Sequence, residues 1–232
     1  MIYVTGDLHG DLTRFKQRKI KRLKKNDTLI VCGDFGFIYD EDKREEKALK
    51  WLSKRKYNIL FVDGAHDKLD LLEKYELCDF CGAEARRINE KVYMLLRGNV
   101  YTIEDKKIFA FGSGLSESYN IISDIMSDSA GSLPTTEETE NGLKNLEKVD
   151  NTVDYIVTYD APVSAKTYIG EGNNNGLNTY FEEIYKLANF KCWHFGRYHK
   201  DKAVTRLFKA VYMDVVPMYE LPKKKKNGLK NR

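Results

Sequence analysis

The residue types able to do chemistry gather at the ends of three short apolar runs. Ile2–Thr5 runs into Gly6-Asp7-Leu8-His9-Gly10, and Thr28–Cys32 runs into Gly33-Asp34-Phe35-Gly36. Asn58–Val62 runs into Asp63-Gly64-Ala65-His66-Asp67. Each run reads as a strand followed by a helical stretch. Loops at the carboxyl ends of parallel strands are where α/β proteins build their sites. Glycine permits the sharp turns through which such side chains converge. An aspartate and a histidine two residues apart offer a hard oxygen and an imidazole from one turn, a donor set suited to Mn, Fe or Zn rather than Ca. A fourth group lies late in the chain, Phe195-Gly196-Arg197-Tyr198-His199.

The elements that must position these residues follow from the apolar pattern. Helices are expected at Asp11–Lys24, near Lys43–Lys54 and near Lys68–Tyr75, which gives a βαβαβ start with parallel strands. Closely spaced strands follow at Val92–Leu96, Val100–Ile103 and Lys107–Phe111. The polar stretch from Ser116 to Thr139 has little periodicity and reads as a loop or lid. Glu138–Lys148 is expected to be a helix, Asp154–Thr158 a strand, Leu177–Leu187 a helix and Phe190–Phe195 a strand. Ala203–Phe208 and Val211–Val215 read as a closing hairpin. No internal repeat or domain boundary interrupts this order, so one α/β domain is the economical reading.

The motif order GDxHG, GDxG, GxHD and a late GxxH resembles the calcineurin-like metallophosphoesterases. The likeness is greatest to small bacterial members whose third motif reads FVDGNH and whose last reads FGHYH. It runs from Ile2 to about Val216, so the resemblance implies an α/β fold: a metallophosphoesterase-type two-sheet β-sandwich flanked by helices, over residues 1–218. It further implies two metals sharing one aspartate. The ligands it assigns to the first, Asp7, His9, Asp34 and His199, are all present. At the three positions expected to bind only the second, the chain carries Ala65, Tyr159 (in Thr158-Tyr-Asp-Ala-Pro162) and Arg197. The losses fall on one site alone. His66 matches the residue that stabilises or protonates the leaving oxygen in the family.

These assignments imply one divalent transition metal, with Mn preferred to Fe or Zn, and weak or absent hydrolysis of phosphoesters. The alternative is a catalytically silent protein that binds phosphate, a nucleotide or another protein. Arg197 is expected to replace the charge of the second metal, by pairing with Asp34 or by holding a substrate phosphate. Tyr159 is expected to fill the remaining space and donate one hydrogen bond. His194, two residues before Gly196, is weighed as a substitute ligand against the commoner packed role of a strand histidine.

Charge and cysteine usage bound the partners. The net charge is +4, but six cations between Lys223 and Arg232 leave about −2 on residues 1–222. The ending, residues 219–232, reads as a disordered, solubilising tail, with nucleic acid a minor possibility. From Arg14 to Lys25 a second basic run carries Leu12, Phe15, Ile20 and Leu23 near helical spacing, the pattern of a solvated helix face. Cys78 and Cys81 form a lone CxxC without a second pair, so free thiols are expected there and at Cys32 and Cys192. No apolar stretch approaches the roughly 20 residues of a membrane span. Nor does the start resemble a cleavable leader, so the cytoplasm is the expected compartment.

Overall fold

The computed structural model describes residues 1–114 and 133–219. Its strands are β1 (Ile2–Gly6), β2 (Thr28–Cys32), β3 (Asn58–Val62), β4 (Leu77–Phe80), β5 (Ala83–Arg87), β6 (Val92–Leu95), β7 (Asn99–Ile103), β8 (Lys106–Phe111), β9 (Tyr155–Thr158), β10 (Cys192–Phe195), β11 (Lys202–Ala203), β12 (Phe208–Ala210) and β13 (Val216–Pro217). One sheet is ordered β13-β1-β2-β3-β6-β5-β4 and the other β11-β12-β10-β9-β8-β7. β1, β2, β3 and β6 run parallel, as do β8, β9, β10 and β12. The helices are α1 (Arg18–Lys21), α2 (Lys43–Ser53), α3 (Leu69–Leu72), α4 (Thr136–Glu147), α5 (Val163–Ile169) and α6 (Gly176–Leu187).

The two-period of the strands builds three apolar layers. Along β2, Ile30 and Cys32 join Leu60 and Val62 of β3 and Ile108 and Ala110 of β8 between the sheets. The alternate residues Leu29, Val31, Ile59 and Phe61 pack outward with Phe15, Leu52 and Leu72 of the helical layer. On the far side, Phe109, Phe111, Trp193 and Phe195 pack against Leu146, Phe181 and Ile184 of α4 and α6. Strands buried on both faces read as unbroken apolar runs, which is why these were legible. The expected sandwich flanked by helices is the observed architecture.

Several local expectations are corrected. The basic run folds as a 3-10 turn, Leu12–Lys16, and the single turn α1, not one helix over Asp11–Lys24. Gln17 separates them with ψ at 140°, and its side-chain amide donates to Met213 O at 3.1 Å. α4 starts at Thr136, where Thr135 and Glu138 form a capping box, so the loop ends earlier than Thr139. Residues 115–132, which hold most of that loop, and 220–232 of the tail lie outside the described residues. The closing hairpin pairs β11 with β12, while the chain after Val211 crosses to β13 in the other sheet. The β4–β5 hairpin was not foreseen. Its turn carries Cys81 and Gly82 at φ of 55° and 89°, the left-handed pair such two-residue turns need. α5 was missed too, although Pro162 precedes it and a left-handed Gly170 ends it. All four thiols are free, with Cys32 and Cys192 buried.

His194 is not a ligand. Alternation along β10 turns it between the sheets, fully buried, 3.9 Å from the Cys192 thiol and near the Tyr155 ring. Its Nδ1 has no partner among the described residues. Burial, with Lys209 adding to it, lowers its pKa from the ordinary 6.5 to about 3. The folded ring is therefore neutral, whereas an unfolded one gains a proton below about 6.5. Stability should fall with pH from there towards about 3, by up to ~1.4 kcal/mol per pH unit. In a His194→Leu protein the pH dependence of urea unfolding should be shallower by one proton. An unchanged slope would refute this account.

Candidate metal centre

The site lies where the carboxyl ends of β1, β2, β3, β9 and β10 meet. Asp7 follows β1 and is buried, and each of its oxygens lies within 3.2 Å of the backbone N–H of Arg197. Asp34 follows β2 and is equally buried. Its Oδ1 accepts the His66 N–H, and its Oδ2 accepts both His66 Nδ1 and the Tyr159 hydroxyl, all three at 2.9 Å. His9 Nε2 lies 3.3 Å from His199 Nε2 and 3.9 Å from Asp34 Oδ2. The Tyr212 ring stacks on His199, with centroids 4.4 Å apart.

Backbone conformation marks the same place. His9, Asp34, Arg197 and His199 have φ of 46°, 43°, 65° and 48°, left-handed values that each cost a non-glycine residue roughly 1–2 kcal/mol. Such strain persists only where the surroundings over-determine it. Two other groups do so here. Asp67 accepts the N–H groups of Phe35, Gly36 and Gly64, tying the loop after β3 to the loop after β2. Buried Arg14 donates to Asp7 O at 3.0 Å, to the Thr5 hydroxyl at 3.1 Å and to Tyr212 O at 2.5 Å. Neither contact was visible in the sequence, where Asp67 is one more loop acid and Arg14 one more member of a basic run.

The donor set fits a cation. Asp7, His9 and His199 offer ligand atoms all within 4.8 Å of one another, and so do His9, Asp34 and His66. Burial, and then the charge of Asp34, pushes the Asp7 carboxyl well up, a conflict that a shared cation would relieve. Burial lowers the pKa of His9, which keeps its imidazole neutral as a metal ligand requires. The four residues predicted for the first metal do not form one such cluster. Asp34 adjoins the other three through His9, its carboxylate being engaged by His66 and Tyr159. Burial raises the Asp34 pKa, but the hydrogen bonds from His66 and Tyr159 outweigh it and hold the group below its usual range. The bond to Asp34 in turn raises His66. Because a carboxylate only accepts, Nδ1 of His66 carries the proton, and Nε2 stands on the free edge of a ring that is 54% exposed.

Tyr159 and Arg197 lie beside these donors. The Tyr159 ring is buried and wedged between two glycines. A Cβ on Gly33, whose φ is 94°, would lie 2.0 Å from that ring, and one on Gly114 2.5 Å from it. Burial, then the charges of Asp34 and Asp7, drives the Tyr159 pKa far upward, so the phenol stays protonated and donates. Arg197 pairs with Asp160 Oδ2 at 2.5 Å and not with Asp34, the first of the two roles expected for it. Fully buried Asp160 also accepts from the Tyr198 hydroxyl and from Ala161 N at 2.7 Å. Sequence reasoning passed over Asp160, whose only signal is an acid two residues from Pro162.

Residues 1–206 match the model of a family described as calcineurin-like phosphoesterase. No curated protein sequence matches the chain. Among solved structures it is similar to the phosphopantetheinyl hydrolase PptH from Mycobacterium tuberculosis, at 15% identity and a TM-score of 0.45, over 91% of this chain and 89% of that one.

Proposed function

The chain belongs to the calcineurin-like phosphoesterase family, and from that premise we propose a weak phosphoester hydrolase that works with one divalent transition metal, manganese by preference. Asp7, His9, Asp34 and His199 would hold the ion. One observation carries the reading: the Tyr159 phenol, wedged between Gly33 and Gly114, donates to Asp34, the carboxylate that two ions would otherwise share. A bound ion supplies Lewis acidity at the phosphoryl group.

The chain's own residues supply the rest. His66, oriented by its Nδ1–H bond to Asp34, would act as the imidazolium which that bond favours, giving the Nε2 proton to the leaving oxygen and keeping the one on Nδ1. Arg14 and Tyr212 fix the backbone of Asp7 and the ring of His199. Tyr159 and Arg197, expected as substrate-binding groups, are read instead as fillers. Asp160 already balances the Arg197 charge, so the arginine does not stand in for a second ion. A catalytically silent, phosphate-, nucleotide- or protein-binding role has one observation in its favour, the three donors already bound to Asp34.

Elemental analysis after equilibration with manganese separates these readings. One tightly held ion per chain is expected, with hydrolysis of a chromogenic phosphodiester that disappears on chelation. Two ions would overturn the ligand assignment, and none would leave the silent role.

A further inference from the structure

Beside the metal site runs the most concentrated positive charge in the described chain. Seven of the ten residues from Lys16 to Lys25 are lysine or arginine, and all seven are exposed. No acid interrupts the sequence between Asp11 and Asp27. Among the described residues, the one ion pair to this run is Lys19 with Asp214 at 3.9 Å, both well exposed and so worth little.

The run is fixed to the site at one end. Arg14 holds Asp7 O, and Gln17 holds Met213 O, next to the Tyr212 that stacks on His199. At its other end Thr28 N donates to Met1 O, while Met218 N donates to the neighbouring Ile2 O. The run therefore leads along β1, about 17 Å for its five residues.

We propose that this track seats a single nucleic-acid strand and leads its phosphodiester backbone to the metal centre. A line of cations one chain wide matches one strand's phosphates rather than a broad surface. An anionic membrane is the less favoured partner, because Ile20 and Leu23 of the run and the preceding Phe15 are buried in the core and add no apolar insertion to the attraction of charge. The seat stands on the charge and its placement, whereas cleavage there rests on the single-metal reading.

The test is fluorescence anisotropy of a labelled oligothymidylate with the full chain, in EDTA, across a range of salt. Log affinity should fall linearly with log salt, by about 0.7 for each phosphate neutralised. Lys16→Glu, Lys21→Glu and Lys24→Glu together, all at exposed positions, should weaken binding at least about tenfold and flatten that slope. Absence of binding at low salt, an unchanged affinity in the triple variant, or tighter binding to phosphatidylserine vesicles than to the oligonucleotide would each overturn the proposal. Oligonucleotide binding by a protein that takes up no manganese would sink the single-metal reading alone. Manganese-dependent hydrolysis of a small phosphodiester without oligonucleotide binding would sink the track alone.

Discussion

A variant carrying Ala65→Asn, Tyr159→His and Arg197→His, with Asp160→Asn added, should hydrolyse a chromogenic phosphodiester about a thousandfold faster than the parent in manganese. The first three changes return the donor types that the family resemblance expects at a second metal. Two ions clamp both the attacking and the leaving oxygens of an in-line displacement. A second ion supplying several kcal/mol of transition-state stabilisation corresponds, at about 1.4 kcal/mol per factor of ten, to that gain. Replacing the Tyr159 ring also vacates the space between Gly33 and Gly114 and removes one donor from Asp34.

The fourth change follows from the structure alone. Asp160 is fully buried, and Arg197 is its counter-ion at 2.5 Å. Taking the arginine away strands a carboxylate in the interior, which costs about 3–5 kcal/mol. The three substitutions without Asp160→Asn should therefore give a protein that melts markedly lower, and the amide should restore much of the loss. Differential scanning calorimetry beside the rate measurement separates the two effects. Two ions bound without any gain in rate would show that the surroundings, not the ligands, limit the chemistry. A triple variant as stable as the parent would contradict the role given to Asp160.

What could be read from the sequence, and what could not, divides by the range of the interactions. The strands before Asp7, Asp34 and His66 were legible because they are buried on both faces and so apolar throughout. The Gly-Asp and Gly-x-His ends were legible because turn chemistry is local. Arg14 was not, since nothing nearby distinguishes the one cation of its run that turns inward to hold Asp7 O and Tyr212 O. The single long helix failed for the same reason: Gln17 leaves helical geometry to reach Met213, 196 residues away. The backbone of Arg197 reaches Asp7 across 190 residues, and its side chain reaches Asp160 across 37. The residue types at the centre were thus readable, but not the hydrogen bonds that tie up Asp34 and Arg197.

Replacing Arg97 with leucine should cost about 3–5 kcal/mol, lowering Tm by roughly 6–20 °C for a chain of this size. Arg97 and Asp63 are both buried, with Nη2 of the arginine 2.6 Å from Oδ2 of the acid. Nη1 of Arg97 reaches Glu138 at 3.1 Å, in the capping box of α4, and Leu133 O at 3.3 Å. Asp63 also accepts the N–H of Ser113 at 3.2 Å, and Gly112 packs so closely that a Cβ there would meet Asp63 Oδ1 at 1.8 Å. The Arg97–Asp63 pair thus joins the end of β3, three residues before His66, to the start of α4 through the guanidinium and to the end of β8 through the carboxylate. Without it the buried carboxylate has no counter-charge, and the loop carrying His66 loses its anchor. Removing both charges, as Asp63→Leu with Arg97→Leu, takes away the stranded ion and should recover most of the stability, because a buried pair contributes little over apolar side chains of similar size. Guanidinium unfolding of the single and double variants measures the difference. An Arg97→Leu protein within about 1 kcal/mol of the parent would show that water or a neighbouring group satisfies Asp63, and that the anchor lies elsewhere.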